Sequence, residues 1–430
     1  MGIQTKRFIS KKKSCSCSMP GVWRAAAFCE GMAVIFHSPR ACAHVTRSMD
    51  INSYYRGAAE RKGMYGRSVP IVSSQLEEKH AIFGGAERLM QCIAAVVKDE
   101  EPKCIVIANS CLAGVIGDDV ESIAREAEER FGIPIVTVST YGFLDGEYYQ
   151  GYLEAADNIA KRFFKKQKQE ANTALLFGDS GGPGGQYALE TKRLLAELGV
   201  TVIGQYPGYI PFDALGDAAK AAALIVLGGR GQSHEKMMRL AERFKERYGF
   251  SYIKDCYPVG WDQTKKWIRE AGVLFDCQEK ASQLIEKEEE RIRRACERFL
   301  PVTRKKKAVI VIGRWLVYFQ PESILEIAGL LELDVRGIIL LSSYPEKERE
   351  KMEAAIHACT DIPVISEKDG DSLAAEAEVI LTTHELHGIE KKQLFLPMIP
   401  KAGAEGAIEY MQAVYRCLCS RQVKGGISYV

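Results

Sequence analysis

The sequence contains no apolar run of the roughly 18 residues needed to cross a bilayer. Its first residues carry charge but no apolar segment of the signal-peptide type. Neither charge sign is in excess, because 58 basic side chains accompany 56 acidic ones. These absences argue against membrane attachment and against a broad nucleic-acid-binding surface, and we expect a cytoplasmic protein.

The thirteen cysteines include no CxxC pair and do not form the short, dense framework of a secreted disulfide scaffold. Reduced thiols are therefore expected. Cys92, in a helical pattern, and Cys104, at the start of an apolar strand, have the settings of small buried hydrophobes. The same interpretation applies to Cys29, Cys256, Cys277, Cys296, Cys359, Cys417 and Cys419.

No nucleotide-binding loop is recognisable. The glycine-rich stretch "GDSGGPGGQ" (178–186) could expose backbone amides to an anion, but it has no lysine and lacks the Gly-x-x-x-x-Gly-Lys-Ser/Thr pattern. If ATP drives this system, another protein has to bind it.

Short apolar runs alternate with amphipathic stretches of helical length along almost the whole chain. Runs such as "CIVIA" and "ALIVL" are typical of strands buried on both faces, and parallel neighbours need crossover helices. The sequence therefore predicts an α/β protein with parallel sheets. Breaks in the pattern divide its 430 residues into three Rossmann-like domains, 1–170, 171–300 and 301–430.

Three cysteines stand out because each is placed at a turn. Cys17 lies in "CSCSMPG", Cys42 in "FHSPRACAH" and Cys111 in "NSCLAGVIGDD". Ligands of parallel sheets gather at strand ends, and iron–sulfur clusters need soft, deprotonated sulfur. Three widely spaced cysteines could also coincide by chance, and Cys15 competes with Cys17 as the N-terminal ligand.

These segments resemble nitrogenase component 1 type proteins. "HSPRAC" is similar to the family's HGPxGC segment, and "CLAGVIGDD" to its second cysteine motif at the start of a helix. "IFGGAERLMQCI" (82–93), "LLAELGVTVIGQYPG" (194–208) and "GAEGAIEYM" (403–411) match further blocks in the same order. The resemblance spans nearly the whole chain.

The resemblance implies three Rossmann-like domains and a homodimer or a heterodimer with a homologous subunit. It also implies an iron–sulfur cluster at the subunit interface, either a 4Fe-4S cluster or a larger shared one. Carried over residue by residue, its ligands would be Cys17, Cys42 and Cys111. His37 and His44 flank Cys42 and are candidates for supporting contacts, and Arg40 could pair with the cluster charge or a partner.

The resemblance also has departures. In nitrogenase proper, a second-domain cysteine and a third-domain histidine hold the catalytic metal cofactor, but this sequence has no cysteine between 226 and 249. His234 is nearby, and a surface role explains it equally well. His384 and His387, three residues apart, could share a helix face if their segment is helical.

Three functions agree with these patterns. The first is a reductase subunit that takes electrons from a nitrogenase iron-protein-like ATPase and reduces a small molecule or a tetrapyrrole. The second is a scaffold on which a metal–sulfur cofactor is assembled. The third is an electron-relay partner of a homologous subunit that owns the active site.

Overall fold

The computed structural model describes most of the chain. The described residues are 4–5, 17–51, 68–144, 147–228, 232–313, 321–341, 346–384, 386–387, 389–396, 401–421 and 424–425. Their strands form three larger sheets in which every strand pairing is parallel. A separate antiparallel pair joins β1 (Gln4–Thr5) to β14 (Leu386–His387). The predicted α/β class with parallel sheets is confirmed.

The first sheet is built from strands β2 (Met32–His37), β3 (Ile71–Ser73), β4 (Cys104–Asn109) and β5 (Ile135–Tyr141). Its strand order is β3-β2-β4-β5. The helices of this part are α1 (Ser18–Ala26), α2 (Arg40–Ile51), α3 (His80–Phe83), α4 (Ala86–Glu100), α5 (Cys111–Ile116), α6 (Val120–Phe131) and α7 (Tyr148–Phe163). Strands β2 and β4 are buried along their whole length, as their apolar sequences predict.

The second sheet is built from β6 (Glu170–Phe177), β7 (Thr201–Tyr206), β8 (Ala221–Val226) and β9 (Ser251–Tyr252). Its order is β7-β6-β8-β9. A 3-10 helix covers Phe212–Lys220, and the α-helices are α8 (Gln186–Glu197), α9 (Gln232–Tyr248), α10 (Trp261–Leu274) and α11 (Gln278–Thr303). Helix α11 contains the charged stretch 282–300 and extends beyond it at both ends.

The third sheet has the order β12-β11-β10-β13-β15-β16. Its strands are β10 (Lys307–Ile312), β11 (Asp334–Leu340), β12 (Val364–Ser366), β13 (Val379–Thr382), β15 (Lys392–Phe395) and β16 (Lys424–Gly425). The helices are α12 (Pro321–Leu330), α13 (Glu346–His357), α14 (Asp371–Glu376) and α15 (Gly403–Cys419). Its apolar side chains form two clusters, one of which includes residues of α10 and α11. One face of the first sheet shares a continuous core with the second sheet, and its other face forms a separate cluster.

Helices α1 and α7 pack unusually closely within that shared core. A Cβ atom on Gly21 would lie 1.9 Å from the Tyr148 carbonyl oxygen, and one on Gly151 would lie 2.2 Å from the Ser18 carbonyl oxygen. Only glycine therefore permits this contact, which holds the N-terminal end of α1 against α7.

Each large sheet has a point where the chain changes the side on which it adds strands. These switch points lie between β2 and β4, between β6 and β8, and between β10 and β13. In open α/β sheets, ligands bind beyond the carboxyl ends of the strands at such points. Cys42 follows β2 and Cys111 follows β4, so both cysteines flank the switch point of the first sheet.

Candidate metal centre

The structure places each of the three predicted cysteines at the start of a helix. Cys17 is the N-cap of α1, Cys42 lies in the first turn of α2, and Cys111 is the first residue of α5. All three are half-buried. Cys15 lies outside the described residues, so the choice between Cys15 and Cys17 stays a prediction.

Gly142 connects the Cys17 and Cys111 segments. Its carbonyl oxygen accepts hydrogen bonds from the Ser18 amide and hydroxyl, each at 3.3 Å. A Cβ atom at Gly142, whose φ is +57°, would lie 2.8 Å from the Cys111 nitrogen. The residue after Cys17 and the backbone of Cys111 therefore meet at one glycine just beyond β5.

Cys42 lies within electrostatic reach of Cys111. Burial raises the pKa of the Cys42 thiol, a hydrogen bond with Ser38 offsets part of this increase, and the Cys111 thiolate adds to it. The backbone brings the same segments together, because the Ser110 amide donates to the His37 carbonyl oxygen at 3.1 Å. The structure thus brings all three predicted cysteine segments to one edge of the first sheet.

These thiols suit a multi-iron cluster chemically. Among the described residues, no three His, Cys, Asp or Glu side chains are grouped closely enough to hold one metal ion. An iron–sulfur cluster has a different requirement, since its cysteines bind separate iron atoms and stand farther apart than the ligands of a single ion. Half-buried cysteines on three separate segments are of the type that such a cluster needs.

Exposed apolar side chains surround the thiols. Val45 is 54% exposed and lies three residues after Cys42, while Phe143 and Leu144, 57% and 58% exposed, follow the glycine that contacts Cys111. We call Val45, Phe143 and Leu144 the apolar rim. Such large apolar groups, collected around one site, are characteristic of a surface that a partner covers.

A second exposed apolar group lies on α3, which packs against α5. Ile82 is 80% exposed and Phe83 is 84% exposed, and Val115 on α5 is 73% exposed. We call Ile82 and Phe83 the α3 apolar pair. It stands close to the cysteine segments, because α5 begins at Cys111.

His37 connects these segments from inside the protein. Its side chain is fully buried, and its Nε2 lies 2.9 Å from Asp118 Oδ2 while its Nδ1 lies 3.0 Å from Ser74 Oγ. Ser74 Oγ accepts from the Ser38 amide at 3.2 Å, so its hydroxyl proton is available to Nδ1 and the neutral tautomer carries its proton on Nε2. Burial lowers the pKa of His37, although the hydrogen bond to Asp118 acts in the opposite direction.

The two aspartates of "GDD" have different roles. Asp119 is exposed and caps α6, accepting a hydrogen bond from the Ser122 amide at 3.0 Å, as its position before a helix predicts. Asp118 is 5% exposed and accepts from the Gly85 amide at 2.9 and 3.1 Å as well as from His37. Only the first of these roles was expected from the sequence.

The other histidine candidates do not join the thiols. His234 lies on α9, edge to face with Tyr257 at a ring-centroid distance of 4.9 Å, and the two side chains share a hydrogen bond. His384 Nδ1 contacts Thr383 Oγ1 at 2.8 Å. His387 lies in strand β14, so its segment is not helical and the condition for a helix face shared with His384 is not met. The His387 side chain lies outside the described part.

The glycine-rich stretch 178–186 contains an ion pair that the sequence analysis missed. Arg24 Nε lies 2.8 Å from Asp179 Oδ2, and the Tyr209 hydroxyl donates to the same carboxylate. Burial by itself would lower the pKa of Arg24, but the Asp179 carboxylate holds it well above its usual value. This cluster ties α1 to the loop after β6, that is, to the second sheet. A single arginine inside the apolar segment "VWRAAAF" was the available signal.

Comparison with known proteins gives a consistent result. A family profile described as nitrogenase component 1 type oxidoreductase matches residues 17–419. The nitrogenase iron-molybdenum cofactor biosynthesis protein NifE of Clostridium pasteurianum is 29% identical over 302 residues, which cover 67% of this chain and 63% of that protein. The nitrogenase molybdenum-iron protein alpha chain of Methanosarcina barkeri is 26% identical over 313 residues, 69% of this chain and 57% of that protein. The alignments thus span less than two thirds of each relative.

The solved structures support the same fold. The structure of nitrogenase Cp1 at pH 5 superposes with a TM-score of 0.66 at 18% identity, covering 97% of this chain and 90% of that one. In the part of the chain that the structure describes, no helix combines the length and apolar character needed to span a membrane.

Proposed function

The chain belongs to the nitrogenase component 1 type oxidoreductase family, and from this membership we propose that it is the cluster-holding subunit of a nitrogenase-like reductase. Proteins of this family bind metal–sulfur clusters and work in multisubunit complexes. In the proposed reaction, electrons arrive from an iron-protein-like ATPase, pass through an interface iron–sulfur cluster and reduce a small molecule or a tetrapyrrole. The observation that supports this proposal is the convergence of three cysteine-bearing segments at one edge of the first sheet.

Cys17, Cys42 and Cys111 would hold the cluster, which is either a 4Fe-4S cluster or a larger one shared with a second subunit. When bound, it supplies one-electron transfer. Because burial raises the pKa of Cys42, its thiol has to lose a proton when iron binds, and loading should release protons. The N-terminus of α1 favours the thiolate of Cys17, its N-cap residue.

The two exposed apolar groups fit two partners. The apolar rim lies beside Cys42 and Cys111, so a second copy of the chain or a homologous subunit seated there would exclude water from the cluster. The α3 apolar pair lies beside the same thiols on a separate helix, which suits the electron-donating ATPase. A soluble multisubunit reductase therefore accounts for both groups.

A cofactor-assembly scaffold is the second candidate. It is favoured by the similarity to NifE of Clostridium pasteurianum, a protein named for iron-molybdenum cofactor biosynthesis.

Iron analysis of anaerobically purified protein tests the cluster assignment. We expect the wild type to contain iron and sulfide, and Cys111→Ala to lose most of both. Cys104→Ala is the matched control, since Cys104 lies in the same β4–α5 unit but is fully buried, with a pKa that burial raises to about 12. A Cys111→Ala protein that keeps the wild-type iron content would show that Cys111 is not a ligand.

Two further comparisons complete the assignment. Comparing Cys15→Ser with Cys17→Ser identifies the N-terminal ligand, since only the ligand variant should lose iron. Turnover then separates reductase from scaffold. With reductant, ATP and the partner ATPase, a reductase consumes substrate as its reduced cluster is reoxidised, whereas a scaffold transfers metal and sulfide to an acceptor protein.

A further inference from the structure

Asp118 occupies a costly position. Its carboxylate is almost fully buried, yet among the described residues its partners are one backbone amide and a histidine whose pKa burial lowers. A buried carboxylate without a cationic partner is costly. One asparagine oxygen could accept from the Gly85 amide, but it could not occupy both of the oxygen positions that contact Gly85 and His37. The stability of the fold does not by itself explain a charged group here.

The contacts of Asp118 join three segments that matter for the metal centre. It follows α5, which begins at Cys111. Through His37 it reaches the end of β2, five residues before Cys42. Through the Gly85 amide it reaches the residue that follows the α3 apolar pair and Gly84.

The joint between Asp118 and Gly85 is tight. A Cβ atom on Gly85 would lie 2.6 Å from Asp118 Oδ2 and 3.0 Å from the His37 ring. The Gly84–Gly85 link between α3 and α4 therefore rests directly on the carboxylate and the imidazole, with no room for a side chain between them. A displacement of α3 would be passed to His37 and to α5, because close-packed groups transmit strain instead of absorbing it.

We propose that Asp118 is a positioning residue that holds the α3 apolar pair in a fixed position relative to the Cys42 and Cys111 segments. Binding of a partner to this pair would then change the positions of the two thiols. This inference rests on the proposed function, in which those thiols hold a cluster. By thermodynamic reciprocity, binding of a cluster to the thiols would also change the affinity of the α3 apolar pair for its partner.

The neighbouring aspartate supplies the control. Asp118→Asn removes the charge and keeps only one oxygen, so its NH2 group places a donor against either the Gly85 amide or the His37 Nε2 proton, and one of these contacts is lost. Asp119→Asn changes the same residue type one position away, where asparagine caps a helix as well as aspartate does. Hydrogen exchange is measured on the metal-free protein, and electron paramagnetic resonance on the iron-loaded protein.

We expect Asp118→Asn to speed amide exchange about tenfold in both 80–89 and 110–117, as follows from loss of a buried hydrogen bond. We also expect a shifted cluster signal. Asp119→Asn should change exchange only around the start of α6 and leave the signal as in the wild type. Faster exchange in only one of the two segments, or an unchanged cluster signal in Asp118→Asn, would overturn the coupling.

A second variant approaches the joint from the other side. Gly85→Ala places a methyl group against Asp118 and His37 and lies outside the cysteine loops. It should shift the cluster signal in the same direction as Asp118→Asn, and a wild-type signal would refute the proposal even if Asp118→Asn fails to fold. Wild-type protein without iron would refute the cluster function instead, while the exchange comparison would still decide whether the joint exists.

Discussion

Gly151→Ala should separate α1 from α7 and move Cys17. The new Cβ atom would lie 2.2 Å from the Ser18 carbonyl oxygen, whereas ordinary contact begins at 3.4 Å, so the helices must move apart by about 1 Å. The obstacle is backbone, which cannot rotate away as a side chain can. Overpacking of this kind costs about 3 kcal/mol, at the upper end of its usual range. Because Ser18 follows the proposed ligand directly, the displacement reaches the metal centre as well as the core.

Two measurements check this prediction. In thermal unfolding, the midpoint of the first transition should fall by about 6 to 12 °C. This range follows because each kcal/mol lowers the midpoint by roughly 2 to 4 °C in a domain of about 150 to 250 residues. Iron content should fall below that of the wild type under identical loading. Gly329→Ala is the control, because an added Cβ on that helical glycine meets nothing within 4 Å, and it should be neutral or slightly stabilising. A Gly151→Ala protein with wild-type stability and iron content would refute the account of how α1 is held.

Two other predictions concern buried charge. Asp179→Asn leaves the Arg24 guanidinium, which is 8% exposed, without its counter-charge, and it should lower the free energy of unfolding by about 3 to 5 kcal/mol in urea titrations. The double variant with Arg24→Met should recover much of this loss. If the effects of the two substitutions were additive, the pairing would be contradicted. Burial in the folded protein lowers the pKa of His37 and of His234 from the ordinary histidine value of 6.5. Below pH 6.5 the unfolded chain therefore binds more protons than the folded protein does. Stability should therefore fall as the pH decreases below 6.5, by at most about 1.4 kcal/mol per pH unit for each histidine, and His234→Gln should show a weaker dependence.

Much of the fold follows from local pattern. Unbroken apolar stretches such as that of β4 predict strands buried on both faces, and the helical lengths between them require parallel pairing. The position of the thiols follows from the same rule, because a residue just after a parallel strand lies at the sheet edge where ligands gather. The local sequence around Cys42 and Cys111 is therefore enough to predict that both lie at this edge.

Contacts between distant segments could not be placed in this way. Arg24 and Asp179 are 155 residues apart, and nothing near either residue identifies its partner. The segment of His384 and His387 is not helical for a related reason. Strand β14 is stabilised by its pairing with β1, which lies almost four hundred residues earlier along the chain. Local propensity is overridden wherever a remote strand supplies the hydrogen bonds.

Asp118 and Asp119 are neighbours in one motif, yet the role of one follows from the local sequence and the role of the other depends on distant segments. Asp119 bonds an amide three residues away, so helix-capping rules suffice to assign it. Asp118 bonds partners 33 and 81 residues away, and its environment exists only after the first sheet has formed. A chain that kept Asp119 and lost Asp118 should therefore retain helix α6 and a folded first sheet while losing the joint between α3 and the thiols. Hydrogen exchange in 80–89 and 110–117 should register that loss, while exchange at the start of α6 should stay as in the wild type, because the capping residue would still be in place.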